Sequence, residues 1–116
     1  MERLFVYGTL APGRTNHHVV QPLGGTWQAG YVRGRLIEEG WGASLGFPAL
    51  IPDDQGDRIH GYVLSSDALK AHWGQLDAFG GPGYQRVNIE VALDDNKHVT
   101  AQVYKLADIP SDLRNH

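Results

Sequence analysis

The chain has 116 residues, 41% of them apolar and 20% charged, with a net charge of −3 and no cysteine. That length suits one compact domain, and the composition is globular rather than disordered, collagenous or membrane-spanning. Ten Lys and Arg against thirteen Asp and Glu leave no electrostatic footprint for nucleic acid or anionic lipid, so neither is expected as a partner. The lack of cysteine excludes disulfides, thiolate metal sites, iron–sulfur clusters and a thiol nucleophile.

Leu4-Phe5-Val6-Tyr7 is a short apolar run stopped by Gly8, as in a buried strand running into a turn. It is too short for a signal segment or a membrane span, and a cytoplasmic protein is expected. Thr15 or Asn16 is a candidate cap for a short helix through His17, His18, Val19 and Val20 that Pro22 ends. Trp27 to Ile37 alternates, with Tyr31, Arg33 and Arg35 on one parity and Val32, Gly34 and Leu36 on the other, which predicts a half-exposed strand. After the glycine-rich stretch from Glu38 to Gly46, Phe47 to Pro52 reads as an edge strand, because proline donates nothing to a sheet ladder.

Asp53 to Asp57 is a turn and Ile59 to Leu64 a strand. Ser65 or Ser66 then caps a helix with Leu69, Trp73, Leu76 and Phe79 on one stripe, ending at Gly80. Tyr84 to Leu93 alternates, with Val87, Ile89, Val91 and Leu93 on one face, and Asp94 to Lys97 turns it into a partner strand, Val99 to Leu106. Strands broken by two short helices, without regular βαβ alternation, predict an α+β fold with a mixed, mostly antiparallel sheet. One domain over residues 1–110 and a loose polar tail over 111–116 complete the expected organisation.

Two segments carry candidate chemistry. In Tyr7-Gly8-Thr9-Leu10 a strand end meets a glycine and a hydroxyl residue, where successive backbone N–H groups are able to grip a carboxylate. From Leu76-Asp77 to Tyr84-Gln85-Arg86 a helix meets a strand through Gly80-Gly81-Pro82-Gly83. Taken singly, each has a plainer reading that is favoured, a strand-to-loop exit with Tyr7 in the core and a flexible surface connection.

Taken together, Val6-Tyr7-Gly8-Thr9-Leu10, Leu76-Asp77 and Gly81-Pro82-Gly83-Tyr84-Gln85-Arg86 resemble the γ-glutamylcyclotransferase family. Gly61-Tyr62-Val63 and Phe47-Pro48-Ala49-Leu50 extend the resemblance over nearly the whole chain. It implies a small barrel-like α+β sheet with two short helices. It also implies that the main chain of Tyr7, Gly8, Thr9 and Leu10 binds the α-carboxylate of a γ-glutamyl ligand. In that family the substrate's own amine attacks its γ-carbonyl, closing 5-oxoproline and releasing an amine or peptide, with no metal or cofactor. A small-molecule partner and a monomer or homodimer follow from the resemblance.

The nucleophilic amine, with an ordinary pKa of about 7.7–8.0, needs a proton acceptor. The family places a glutamate directly after the aromatic residue of the motif; here Phe79 is followed by Gly80, which transfers no proton. Binding and turnover are thereby separable, and a non-catalytic module for γ-glutamyl or amino-acid-like ligands is the competing reading. Among substitutes, Glu38 or Glu39 ranks first; Asp77 is expected to orient the loop, and Glu90 lies on the polar parity of its strand. Tyr84, and after it Tyr104, are candidates for orienting the amine. His17 and His18 face about 100° apart, do not make a zinc pair and are expected to be solvated; His60, His72 and His98 are isolated, so no metal site is expected. Trp27, Trp41 and Trp73 are expected in the core or a pocket wall.

Overall fold

The computed structural model describes residues 2–8, 12–14, 17–37, 49–81 and 83–107. Thr9, Leu10, Thr15, Asn16, Glu38, Glu39, Trp41, Phe47 and the tail from 108 lie outside them. The strands are β1 (Arg3–Val6), β2 (Thr26–Ile37), β3 (Ala49–Pro52), β4 (Asp57–Ser65), β5 (Tyr84–Leu93) and β6 (His98–Leu106), and α1 (Leu69–Gly80) lies between β4 and β5. They form one sheet in the order β1-β4-β2-β3-β6-β5, and the further pairings β1–β6 and β2–β5 close five strands into a barrel. No helix among the described residues is long and apolar enough to cross a membrane.

Closure depends on strands that change neighbours. β2 pairs β4 along one edge, while its other edge meets β5 at Gly30 and Tyr31 and β3 from Gly34 to Ile37. β6 likewise pairs β5 along one edge and touches β1 at Gln102 and β3 at Lys105 on the other. β3 is therefore not the edge strand expected from its prolines. It bridges β2 and β6, and Pro52 is tolerated as its last residue, opposite Gly34. A β-carbon at Gly61 would lie 2.2 Å from the Val6 carbonyl oxygen, so glycine there lets β1 and β4 meet closely where β1 ends.

Burial on both faces of the barrel wall makes two cores. Phe5, Val32, Leu50, Val63, Val91 and Val103 fill the barrel. Leu4, Val6 and Leu64 face outward and are covered by Leu69 and Leu76 of α1 and by Val20 and Leu23. β1 is buried on both sides, which is why it reads as an unbroken apolar run. The β5–β6 hairpin forms as its alternation predicts, with Asn96 at φ +67 in the turn, a conformation asparagine tolerates.

The first expected helix is two successive 3-10 turns, His17–Val19 and Gln21–Leu23. Pro22 sits inside the second rather than ending the helix, because no backbone N–H is required of it in a first turn. His17 is not simply solvated: its ring packs 5.3 Å from that of Trp27. At the entry to α1, Ser66 rather than Ser65 organises the chain. Its hydroxyl donates to the Leu23 carbonyl at 2.9 Å and accepts from the Ala68 amide at 3.2 Å. Phe79 leaves the helix's apolar stripe and is 39% exposed. Each step of three residues falls about 60° short of a full turn, so two in succession carry it away from Leu69 and Trp73.

Candidate substrate site

Tyr7 follows β1 with its ring near that of Phe5, at 6.4 Å, and its hydroxyl reaches the place where β3 meets β6. There it donates to the Tyr104 carbonyl at 2.6 Å and accepts from the Leu50 amide at 3.0 Å. The phenol thus joins β1 to both β3 and β6, and its proton is committed to backbone. The chain continues from Tyr7 into the half-buried Gly8.

The second segment arrives at the same residue from outside. α1 ends at Gly80, and Gly81, at φ +73, turns the chain while its N–H donates to the Asp77 carbonyl at 3.1 Å. Glycine meets that left-handed conformation without a Cβ clash. The Asp77 carboxylate takes two bonds from Arg86, Nε to Oδ1 at 2.9 Å and Nη2 to Oδ2 at 3.3 Å, and a third from the Tyr104 hydroxyl at 2.7 Å. Arg86 lies directly across from Tyr104 on the hairpin, and its guanidinium stacks 4.5 Å from the centre of the Trp73 ring. Tyr104 therefore holds both segments, Tyr7 through its carbonyl and Asp77 through its phenol.

Asp77 orients the helix end, with both carboxylate oxygens occupied. Tyr84 opens β5 opposite Leu106, and the Gly83 carbonyl accepts from the Ala107 amide at 3.0 Å. Glu90 pairs with His98 at 3.6 Å, about 20 Å along β5 from Tyr84 at the rise of a strand. The Tyr104 bonds to Tyr7 and to Asp77 had no local sequence signal, spanning 97 and 27 positions. A groove of about 500 Å³ lies elsewhere, at the seam where β5 leaves β2, and shares no residue with the two segments. Among the described residues no group of His, Asp and Glu is arranged to hold a metal ion.

Three phenols at this end of the barrel are pushed above their usual pKa. For Tyr7 burial dominates, the Leu50 bond opposes it and Tyr84 adds to it; for Tyr84 the cause is burial. For Tyr104 burial leads, the Asp77 bond and charge add, and Arg86 opposes. The Tyr84 contribution also places that phenol within electrostatic reach of Tyr7. Above the ordinary value of 10.0 the unfolded chain loses protons that the folded chain keeps, so stability falls as pH rises through that range. Ultraviolet titration at 295 nm beside urea unfolding at pH 9 to 11 should show the Tyr7 and Tyr104 phenols ionising only as the protein unfolds; ionisation of all five tyrosines in the folded state refutes this.

The family model described as "Gamma-glutamyl cyclotransferase, AIG2-like" matches residues 4–116. A curated relative, γ-L-glutamyl-butirosin B γ-glutamyl cyclotransferase of Niallia circulans, is 28% identical over 104 residues, which cover 85% of this chain and 64% of the relative. Among solved structures, YkqA from Bacillus subtilis is 28% identical with a TM-score of 0.69, over 90% of this chain and 35% of that one. An AIG2-like protein from Mus musculus, 22% identical with a TM-score of 0.71 over 97% and 81% of the two chains, shares the fold. With the family model spanning nearly its whole length, the chain belongs to the AIG2-like γ-glutamyl cyclotransferase family.

Proposed function

We propose that the chain binds a γ-glutamyl amine or peptide through the main chain of Tyr7, Gly8, Thr9 and Leu10, and that its Gly80 leaves cyclisation to 5-oxoproline slow. In that reaction the substrate's α-amine forms a bond to its γ-carbonyl carbon and the bond to the departing nitrogen breaks. The proton lost by the amine ends on the leaving nitrogen, so the step balances without water, oxidant or cofactor. Tyr84 orients the amine. Asp77, clamped by Arg86 and Tyr104, positions the helix end that carries residue 80.

The observation that carries this reading is the double grip of Tyr104, which brings the end of β1 and the end of α1 to one residue. Calorimetry with γ-glutamyl-alanine, followed by assay of the cell contents for 5-oxoproline, tests it. Saturable binding with little product is expected, and binding should vanish when the ligand's α-carboxylate is amidated. Absence of binding to γ-glutamyl amines and peptides would sink the proposal. Gly80 also favours a second reading, a module that binds without chemistry, and the substitution that opens the Discussion separates the two.

A further inference from the structure

The outward face of β2 and β4 divides into two halves. At one end Trp27 and Leu64 are paired and covered within the outer core. Beyond them the register places Tyr62 opposite Ala29, His60 opposite Tyr31 and Arg58 opposite Arg33, with Arg35 next along β2. Tyr62 is 39% exposed, and His60, Arg33, Arg35 and Arg58 are exposed as well. This half of the face bears cations and aromatic rings in a protein whose net charge is −3.

The arrangement at the basic end is ordered without a direct ion pair, although Tyr31 and Arg33 also line the same groove as Asp53, Asp54 and Glu90. Arg33 and Arg58 are direct cross-strand neighbours, where like charges are destabilising. Both guanidinium groups are held against the Tyr31 ring, at 5.7 and 4.8 Å from its centre, and the His60 ring lies 5.8 Å from it. Arg33 also donates to the Gly56 carbonyl at 3.4 Å. None of Arg33, Arg35 and Arg58 forms an ion pair with a described residue, although Asp53, Asp54 and Asp57 lie in or beside the adjoining turn. Stacked arginines have surrendered part of their side-chain entropy and present planar donors suited to carboxylates.

We infer that this strip docks an extended acidic segment of a protein partner, its carboxylates on Arg33 and Arg58 and its apolar groups on Tyr31 and Tyr62. From Ala29 to Arg35 the strip is about 20 Å long at the rise of a β-strand, the length of a short extended segment rather than of one small molecule. Bound carboxylates relieve the repulsion between the paired arginines, so charge complementarity selects the occupant.

Fluorescein-labelled hexaglutamate ending in leucine, titrated by anisotropy at low salt, is the probe, with hexalysine and a ten-nucleotide oligouridylate beside it. Hexaglutamate should bind, shift the backbone amide resonances of Tyr31, Arg33, Arg58 and His60, and lose affinity by about tenfold or more in R33Q/R58Q. R14Q, which removes an exposed charge elsewhere, should bind as the parent does. R58Q alone serves if the double variant unfolds. Equal binding by the parent and these variants, shifts confined to other surfaces, no binding of hexaglutamate, or tighter binding of oligouridylate would each overturn the inference.

Discussion

Replacing Gly80 by glutamate is expected to raise 5-oxoproline release from γ-glutamyl substrates by about 10²- to 10⁴-fold, the usual contribution of a positioned general acid–base group. Gly80 is the last residue of α1, and a helical backbone accommodates a side chain. The gain from leaving glycine offsets the small penalty of a negative charge near a helix C-terminus. The increase should fall on kcat with KM little changed, because the proposed main-chain carboxylate binding does not pass through residue 80. Gly80→Gln, similar in size but unable to accept the proton, should remain at the parent's rate. Coupled assay of 5-oxoproline on the parent and both variants measures this. A folded Gly80→Glu protein that binds γ-glutamyl ligands yet releases no product from any of them refutes the enzymatic reading and leaves the binding module.

Tyr7→Phe should cost about 2–4 kcal/mol of stability, since it removes the one hydroxyl that serves both the Leu50 amide and the Tyr104 carbonyl. The ring stays, so the loss measures the two backbone groups left without their partner rather than apolar packing. Tyr104→Phe offers the contrast. It deletes only the bond to an exposed carboxylate that keeps Arg86, and it should cost about 1 kcal/mol or less. Urea unfolding of the three proteins reads both differences. Equal stability of the parent and Tyr7→Phe would show that the phenol does not hold β1 to β3 and β6.

The fold was legible wherever one short-range pattern decided the outcome. The alternation of Val87, Ile89, Val91 and Leu93 and the turn at Asp94 to Lys97 gave the hairpin, since period two and turn chemistry are local. Barrel closure was not legible in this way. It requires Gly30 and Tyr31 to serve β4 and β5 at once; the family resemblance implies a barrel-like sheet but not this pairing. β3 was misread because its prolines argue about donors, whereas its position is set by partners distant in sequence. The 3-10 turns escaped because Pro22 both stops an α-helix and suits a first turn.

At the site, the sequence expectation that Asp77 orients the loop has a physical counterpart in its bonds to Arg86 and Tyr104. The hydroxyl of Tyr7 was missed because the first-strand motif speaks for its backbone and nothing nearby in sequence marks Leu50 or Tyr104 as its partners. Nothing near Tyr104 in sequence marks it as the partner of Tyr7 and Asp77, since a tyrosine on an alternating strand is usually a packing residue.

The pairing of Ile37 with Ala49 has a practical consequence. The two residues that flank positions 38–48, Ile37 and Ala49, face each other across β2 and β3, and the next residue, Leu50, is fastened by Tyr7. A connection closed at its root is exchangeable: doubling its length adds only about 0.6 kcal/mol of closure entropy. Segments of differing size and chemistry can therefore be grafted between Ile37 and Ala49 with the scaffold's architecture left in place.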